Sequence, residues 1–300
     1  MSYDVILVGG SFAGLSAAMQ LARAQRRILL VDAGRPRNRF AAASHGFLGQ
    51  DGVAPAQIMR EGLRQLSAYP TVDFAYDEAT SAQPQEEAFA VELAQGGPVS
   101  ARRLVLATGL VDDLPLPSMT PRWGVSVLHC PYCHGYEARG GRLAVVANID
   151  MAVHQALLLP DWGPTTFFTQ GVFEPSPAET AQLSARGIGI ERTPVVELLG
   201  PAPRTEALRL ADGRVVPADA VFTAPKTRMA SPLAEQLGCV FEAGPTGAFI
   251  QVDATKQTSV AGVFAAGDAA QPMHNATLAS AAGVLAGVSA HRSLVLAQAS

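Results

Sequence analysis

The stretch Tyr3-Asp4-Val5-Ile6-Leu7-Val8-Gly9-Gly10-Ser11-Phe12-Ala13-Gly14-Leu15-Ser16-Ala17-Ala18 decides the fold, because it reads as a strand, a tight turn and a helix. The apolar run is typical of a buried parallel strand. The first glycine begins the turn, and the last permits close packing of helix on strand. The N-terminus of such a helix attracts a pyrophosphate. The turn is therefore predicted to bind a dinucleotide through Gly9, Gly10, Ser11, Phe12, Ala13 and Gly14.

The residues around this turn follow the dinucleotide-binding fingerprint with one departure. Ser11 stands where the fingerprint has its second glycine, and serine is small enough for a nucleotide backbone to approach. The next strand, residues 27–31, ends on Asp32, which is placed to accept hydrogen bonds from a ribose; Ala33 follows it. Strand, turn, helix, strand and acid in register favour dinucleotide binding over an ordinary βαβ unit. The basic loop at residues 33–39 either approaches phosphates or is a solvated turn.

A second stretch carries the chemistry: His129-Cys130-Pro131-Tyr132-Cys133-His134-Gly135-Tyr136-Glu137. Cysteines at this spacing can close into a disulfide and reopen, transferring an electron pair in each cycle. The spacing also suits half of a zinc site or a structural disulfide. Tetrahedral zinc requires four ligands. Because Cys239 is the only other cysteine, we favour a redox pair formed by Cys130 and Cys133 and predict no metal.

Length and composition bound the class of protein. The chain has 300 residues, 48% of them hydrophobic, which suggests about two domains. The net charge is −4 and no basic stripe is visible, which argues against nucleic acid or an anionic membrane as a partner. The apolar stretch at residues 276–290 is rich in Ala, Gly and Ser, and is interpreted as a tightly packed soluble helix. Few cysteines and no recognisable signal peptide lead us to expect a cytoplasmic protein.

Two further stretches belong with the first. Residues 103–106 form an apolar strand that leads into Ala107, Thr108 and Gly109. Residues 258–270 read as a turn, a buried strand, Gly267, Asp268 and a helix. An acid directly after such a strand can bond the ribityl hydroxyls of a flavin. The alternative is that Asp268 caps the helix that follows it.

The second half of the chain repeats the βαβ pattern without its glycines. We place a domain boundary at the extended linker formed by residues 113–117. Residues 142–147 read as another buried strand, but the turn at residues 147–152 has no glycine and carries Asp150 where phosphates would bind. No arginine cluster follows the strand at residues 165–169 to bind a 2′-phosphate. We therefore predict that this domain has lost its NADPH pocket.

Together these residues resemble the low-molecular-weight thioredoxin reductase family of flavoproteins over essentially the whole chain. The resemblance rests on the turn at residues 9–14 with Asp32, on residues 107–109, on the cysteine pair inside the second domain and on residues 258–268. It implies an α/β fold of two Rossmann-like, three-layer ββα domains. An FAD-binding domain is formed by residues 1–112 and 225–300, and residues 113–224 form an inserted, degenerate NAD(P)-binding-like domain with the CxxC pair. It also implies a homodimer.

The departures from that family resemble one of its branches. The reductases usually carry Asp after the dithiol, whereas His134 stands here. This pattern, with the missing NADPH motif, is similar to the dithiol oxidases that close disulfides in natural products such as gliotoxin and holomycin. The resemblance implies FAD as cofactor, a small-molecule dithiol as substrate, and molecular oxygen as acceptor with hydrogen peroxide as product. The alternatives are a disulfide reductase fed by NADPH or by another donor such as ferredoxin, and a flavin-binding redox sensor.

The same resemblance implies roles for the residues of the dithiol stretch. Cys130 is the exchanging cysteine and Cys133 is the cysteine against the flavin. His134 is the candidate general base, because an imidazole pKa of about 6.5 suits thiol deprotonation near neutrality. The alternative reading of His134 is a helix-capping or satisfied polar residue. The role of His129 stays open.

Overall fold

The computed structural model describes residues 2–296, which divide into two compact units. The first unit comprises Met1–Arg39, Ala56–Val111 and Arg228–Ser300, and the second comprises Phe40–Pro55 and Asp112–Thr227. The first unit is thus built from both ends of the chain. The predicted ranges are 1–112 and 225–300 for the first domain and 113–224 for the second. The observed units differ from them mainly at residues 40–55, which belong to the second unit and not to the first. Residue 1 and residues 297–300 of the predicted FAD domain lie outside the described residues.

Strands and helices follow one another through both units. In chain order they are β1 (Ser2–Val8), α1 (Phe12–Arg23), β2 (Ile28–Val31), α2 (Pro55–Leu66), β3 (Val72–Ala75), β4 (Ala79–Pro84), β5 (Phe89–Leu93), β6 (Gly97–Leu106), β7 (Leu110–Asp113), β8 (Val127–Leu128), α3 (Pro131–His134), β9 (Leu143–Val146), α4 (Ala152–Leu158), β10 (Thr165–Phe168), α5 (Pro177–Ala185), β11 (Gly189–Glu191), β12 (Val195–Leu199), β13 (Ala207–Leu210), β14 (Val215–Pro217), β15 (Ala220–Phe222), β16 (Lys226–Met229), α6 (Leu233–Gln236), β17 (Phe241–Ala243), β18 (Ala248–Ile250), β19 (Val263–Ala265) and α7 (Ala276–Leu296). Short 3₁₀ helices lie at Pro117–Arg122, Leu159–Asp161 and Asp268–Ala270.

The first unit is organised around a seven-stranded sheet. Its order is β3-β2-β1-β6-β5-β4, with β19 also paired to β6. The pairs β1–β2, β1–β6, β2–β3 and β6–β19 are parallel, whereas β5 is antiparallel to both β4 and β6. Parallel pairing brings the carboxyl ends of β1, β2, β6 and β19 to one edge of the sheet. The predicted cofactor residues follow these same ends, so the sheet gathers them along one line.

Helices cover one face of this sheet, and the other face is covered by the antiparallel end of the same sheet, β4 and β5, together with the short helix α6. Residues of α1 and α7 share a buried core with Val5 and Leu7, whereas Ile6 and Val8 face a core that includes residues of β4, β5 and α6. The alternation along β1 follows from the two-residue repeat of a strand. This arrangement gives the first unit its three layers.

The C-terminal helix α7 packs closely on α1. An added Cβ at Gly283 would lie 2.1 Å from the Ala13 carbonyl oxygen, and one at Gly287 would lie 2.5 Å from that of Ala17. Only glycine permits this approach of the two backbones. By length and composition α7 could also span a membrane, a test that the core helix of a soluble protein passes equally. The close packing on α1 is what the sequence pattern of small residues predicts.

The second unit contains a five-stranded parallel sheet of order β11-β10-β9-β15-β8. Its helices α4 and α5 pack on one face, and the three-stranded sheet β12-β13-β14 packs on the other. The dithiol helix α3 begins three residues after β8, at the carboxyl edge. The predicted fold class, α/β with two Rossmann-like three-layer domains and a first domain built from both chain ends, is confirmed. The connecting segments β7 and β16 pair as a two-stranded sheet, as do β17 and β18.

Candidate active site

The predicted dinucleotide turn lies at the carboxyl edge of β1. Gly9 has a φ of +107°, and an added Cβ there would come 2.2 Å from the Ala107 carbonyl oxygen. A Cβ at Gly14 would come 1.7 Å from the Gly9 carbonyl oxygen. Both positions therefore require glycine, and the requirement holds α1 tightly against the strand ends. Ser11 is the N-cap residue of α1. The N-terminus of α1 therefore lies at the carboxyl edge of β1, where the helix dipole favours a negative charge.

Asp32 lies directly beside this turn. Its Oδ1 accepts a hydrogen bond from the Gly10 N–H at 3.1 Å. An added Cβ at Gly10 would lie 2.8 Å from the Asp32 Cβ, so glycine is needed here for the acid to approach. The carboxylate is thus fixed one strand away from the helix N-terminus, and Ala33 follows it in an exposed position. This placement suits the predicted hydrogen bonds to a ribose.

The ends of β6 and β19 complete the edge. Ala107 packs under Gly9, and Gly109 has a φ of +69° with no atom of the described residues within 4 Å of an added Cβ. At the end of β19, an added Cβ on Gly267 would lie 2.9 Å from the Ala13 Cβ, so this residue contacts α1. The residues Gly9 to Gly14, Asp32, Ala107 to Gly109, Gly267 and Asp268 therefore come together in one place. Their roles toward a cofactor stay predictions.

Asp268 has an ion-pair partner that the sequence did not reveal. Its Oδ2 lies 2.8 Å from Nη1 of Arg37, and both side chains are mostly buried. Asp268 begins a 3₁₀ helix whose N-cap is Gly267, and no side-chain capping bond is found there within the described range. The capping alternative therefore receives no support. Arg37 belongs to the basic loop that the sequence analysis left undecided, and its contact with Asp268 places this part of the loop at the cofactor edge.

The residues at this edge fit a flavin dinucleotide. The N-terminus of α1 offers N–H donors for a pyrophosphate, and Asp32 and Asp268 offer acceptors for hydroxyl groups. Asn38 Oδ1 is buried and has no hydrogen-bond partner among residues 2–296, so it can accept a bond from a ligand. Donors and acceptors are thus present in the types that FAD requires.

The dithiol lies at the corresponding edge of the second unit. Cys130 is the N-cap residue of α3, Cys133 lies within that helix, and Pro131 occupies its first turn. The two Sγ atoms are 2.6 Å apart, so a bond between them can form with little movement. The strand before them is fixed, because the Leu128 carbonyl accepts the Thr223 N–H at 2.9 Å. Backbone pairing therefore presents the pair at the end of β8.

The two cysteines differ in acidity. A hydrogen bond from the Cys133 thiol, aided by the N–H groups of Cys133 and Tyr132 and opposed by burial, lowers the pKa of Cys130 to about 7. The same hydrogen bond, with burial and the Cys130 charge, raises the pKa of Cys133. In the reduced pair near neutral pH, Cys130 is therefore the sulfur that carries negative charge. This is the charge distribution expected of an exchanging cysteine.

His134 is held as a neutral imidazole beside the pair. Burial lowers its pKa most; the Glu137 carboxylate raises it, His45 lowers it, and a hydrogen bond with the Cys130 backbone raises it. Its Nδ1 is buried with no hydrogen-bond partner within the described part of the chain. A neutral imidazole with a free ring nitrogen can accept a proton. The geometry therefore suits the predicted base, whose role stays a prediction.

His45 is a residue of this site that sequence reasoning missed. It belongs to residues 40–55, and its Nε2 lies 3.6 Å from Glu137 Oε1. Phe40, at the start of the same segment, packs on Gly124, where an added Cβ would lie 2.9 Å from the Phe40 Cβ. These contacts explain why residues 40–55 group with the inserted unit. The only signal in the sequence was a histidine inside a Gly-rich loop.

A buried glutamine holds the residue before the dithiol. Gln155, on α4, is 7% exposed and donates from Nε2 to the His129 carbonyl oxygen. It was also missed, because nothing in the sequence marks this contact. Cys239 is buried, with its Sγ 3.6 Å from Thr258 Oγ1. Across residues 2–296 no group of three or more His, Cys, Asp or Glu side chains is arranged to hold a metal ion.

Comparison with known families decides the class of protein. The model of the family described as pyridine nucleotide-disulphide oxidoreductase matches residues 3–149 and 172–283. The chain belongs to this family. The residues left between the two matched ranges contain α4 and β10 of the second unit. The first matched range ends at residue 149, inside the turn that lacks glycine, and the second begins at residue 172. This oxidoreductase therefore departs from its family model from within that turn to just beyond β10.

Sequence comparison with individual proteins identifies thioredoxin reductases as relatives within this family. The chain is similar to thioredoxin reductase tcpT of Claviceps purpurea, with 31% identity over 97% of this chain and 94% of that relative. It is 29% identical to thioredoxin reductase sirT of Leptosphaeria maculans, over 95% of this chain and 92% of sirT. The predicted resemblance to thioredoxin reductase-like flavoproteins is confirmed. This oxidoreductase is a flavin-dependent thiol-disulfide oxidoreductase, and its cofactor is FAD.

Solved structures agree with these relatives. An oxidoreductase from Agrobacterium tumefaciens superposes with a TM-score of 0.94 at 49% identity, covering 99% of both chains. The crystal structure of HlmI superposes with a TM-score of 0.91 at 36% identity, covering 99% of this chain and 95% of HlmI. Both similarities extend over both units of the chain.

Proposed function

We propose that this oxidoreductase is a dithiol oxidase. It closes a disulfide in a small-molecule dithiol and passes the electron pair to molecular oxygen, giving hydrogen peroxide. The observation that carries the proposal is the combination of an intact dithiol with a second βαβ turn that lacks the features of a nucleotide site. The alternative of a reductase fed by NADPH requires a nucleotide site, and this turn has no glycine to form one.

The turn between β9 and α4 supports this choice. Helix α4 begins at Ala152 after an N-cap Met151 that is 40% exposed. Asp150 is exposed beside it, and its negative charge opposes phosphate binding at that helix end. The Asn148 side-chain amide bonds the Ala224 carbonyl at 3.4 Å, which fills the edge between β9 and β15. A turn with no glycine and with an exposed carboxylate beside the helix end is unfavourable for a pyrophosphate, which supports the proposal.

The thiol chemistry follows from the dithiol geometry. A substrate thiolate attacks Cys130 Sγ of the closed disulfide, forms a mixed disulfide and releases Cys133 as a thiolate. The second substrate thiol then attacks the substrate sulfur, forms the product disulfide and releases Cys130. His134 accepts the proton of the first substrate thiol as that thiol ionises. The proton of the second substrate thiol passes to Cys133, whose raised pKa favours the thiol. The substrate thus loses an electron pair and two protons, and the cysteine pair is reduced. FAD, when bound, would accept the two electrons, so that the two cysteines are oxidised again to the disulfide.

The decisive experiment asks which donor reduces the enzyme. Under anaerobic conditions, dithiothreitol should bleach the visible absorbance of the bound flavin, and equimolar NADPH should leave it unchanged. Admitting air should restore the absorbance and generate hydrogen peroxide. Rapid bleaching by NADPH would overturn the proposal in favour of the reductase. If a dithiol neither bleaches the flavin nor consumes oxygen, the sensor alternative is favoured.

We also propose that the protein is a homodimer, as the family resemblance implies. Helix α7 presents Val284, Leu285 and Val288 on its exposed side, with 37%, 48% and 39% of their surface accessible. A contiguous apolar strip of this kind is typical of an interface. Sedimentation velocity should report a dimer, and Leu285→Glu should shift it to a monomer. A monomeric wild-type protein would contradict the assignment.

A further inference from the structure

Hydrogen bonds within the loop at residues 44–53 fix the position of His45. The Ser44 N–H donates to the Val53 carbonyl at 2.8 Å, and the Gly52 N–H donates to the Ser44 carbonyl at 2.8 Å. The Gly46 N–H donates to Asp51 Oδ1 at 2.9 Å. These bonds fix both ends of the loop and the residue on either side of His45. The imidazole is therefore presented from a closed backbone ring.

The imidazole of His45 lies between two carboxylates. Its Nδ1 is 3.7 Å from Asp51 Oδ1, on its own loop, and its Nε2 is 3.6 Å from Glu137 Oε1, just beyond the dithiol helix. Its side chain is 22% exposed, so solvent screens these pairs only in part. When protonated, His45 can pair with both acids at once. It thereby links the loop to the segment that follows the cysteines.

Glu137 lies three residues after His134, and the Ala138 N–H donates to the His134 carbonyl at 3.1 Å, so the backbone turns between the two side chains. The ionisable groups that act on His134 are Glu137, which raises its pKa, and His45, which lowers it; Asp51 lies at the other ring nitrogen of His45. The nearby Arg139 is turned aside, since its guanidinium stacks 4.1 Å over the Tyr136 ring. Glu137 is therefore a neighbour of both the partly buried imidazole beside the dithiol and the mostly buried imidazole of His45.

We propose that His45 is a positioning residue for the dithiol reaction: by pairing with Glu137, it keeps that carboxylate from holding a proton on His134. The inference rests on the proposed function, because it takes His134 as the base that receives the substrate proton. A neutral His134 can accept that proton, whereas a protonated one cannot. The opposite effects of Glu137 and His45 on the pKa of His134 agree with this division.

The test compares variants in the reductive half-reaction alone. The rate at which dithiothreitol reduces the flavin of the holoenzyme is measured anaerobically across pH in stopped flow. Dithiothreitol ionises identically for every variant, so differences in the acidic limb of the profile report on the protein. His45→Asn should move that limb up by about half to one pH unit, which slows the reaction about three- to tenfold at pH values well below the limb of both proteins. The rate at high pH should stay within about twofold of wild type.

A second variant tests the route through Glu137. Glu137→Gln should move the acidic limb to lower pH, and the double variant should match Glu137→Gln rather than His45→Asn. His154→Gln, an exposed histidine on α4 in the same unit, is the matched control and should follow the wild-type profile. Flavin content and the far-UV spectrum establish that each variant folds. If His45→Asn does not fold, His45→Gln carries the same prediction: its acidic limb should move up, and an unshifted limb would overturn the inference.

Three outcomes would overturn the inference. They are an unshifted His45→Asn profile, an equal loss of rate at every pH, and an additive shift in the double variant. The half-reaction uses neither oxygen nor NADPH. Bleaching of the wild-type flavin by NADPH would therefore refute the oxidase proposal and leave the His45 comparison intact, so the two failures are distinguishable.

Discussion

The turn after β1 and the turn after β9 each follow a strand in the parallel part of their sheet, but they are built differently. Each strand pairs with parallel neighbours on both sides and leads directly into a helix. In the first turn, glycines at positions 9, 10 and 14 allow approaches that any Cβ would block. In the second, residues 147–152 contain no glycine and include the exposed Met151. The same topology therefore carries a turn that requires glycine in one unit and a turn without glycine in the other.

Helix α4, which follows the second turn, differs from α1 in its length and in its contacts. Helix α1 has 12 residues and lies against α7, whereas α4 has 7 residues and then tightens into a 3₁₀ turn. The buried Gln155 of α4 bonds the backbone of His129, next to Cys130. Helix α4 thus fixes the backbone directly before the dithiol, a contact that α1 has no reason to make in the first unit.

The largest expected effect comes from removing the chemistry of the second unit. Cys133→Ser should lower dithiol-driven oxygen uptake by more than about 1,000-fold, because the disulfide can no longer form. Flavin content should be unchanged, since the cofactor edge belongs to the first unit. Cys239→Ser is the matched control, because Cys239 is buried against Thr258 and lies outside the pair. Uptake that survives in Cys133→Ser would place the dithiol off the path.

The next effect tests the first turn by adding one methyl group. Gly14→Ala places a Cβ 1.7 Å from the Gly9 carbonyl oxygen, so strand and helix must separate. We expect a loss of about 2–3 kcal/mol in the free energy of unfolding, together with loss of bound FAD. Urea denaturation and flavin absorbance measure both.

The control for this substitution is a glycine with open space around it. An added Cβ at Gly189 meets no atom of the described residues within 4 Å. Gly189→Ala should therefore change stability by no more than about 0.5 kcal/mol and keep its flavin. If Gly14→Ala retains FAD and full stability, the first turn is not the constrained element that the structure describes.

A third prediction concerns the acidity of the exchanging cysteine. Alkylation of the reduced Cys239→Ser protein by iodoacetamide should have its midpoint at about pH 7, the pKa of Cys130. Below that pH the thiol is protonated and the rate falls; above it the thiolate dominates. Cys133→Ala removes the hydrogen bond that stabilises the thiolate. Its midpoint should rise toward about 8.5, which slows alkylation about tenfold at pH 7. An unshifted midpoint would assign the effect to another group.

Local sequence patterns predict the main elements of the first unit, whereas contacts between residues far apart in the chain cannot be predicted from them. The turn before α1 was predictable because its glycines are dictated by neighbours within a few residues. Arg37 and Asp268 are 231 positions apart, and no periodicity joins them. Residues 40–55 were assigned to the first domain because they lie between its elements in the chain. Their contacts, Phe40 on Gly124 and His45 beside Glu137, depend on tertiary packing that no local pattern encodes.

The smallest effects are expected when the aspartate associated with each turn, Asp32 or Asp150, is replaced by asparagine. Asp32→Asn should weaken FAD binding about tenfold, because Asp32 is held by the Gly10 N–H at the cofactor edge. Asp150→Asn removes a charge from the other turn and should leave dithiol oxidation and FAD affinity within about twofold of wild type. It should also leave the flavin unresponsive to NADPH, because Met151 and the other side chains of that turn still cover the backbone. If Asp150→Asn alone lets NADPH bleach the flavin, the second turn is a nucleotide site closed by one charge, and the contrast between the two units is one of electrostatics and not of shape.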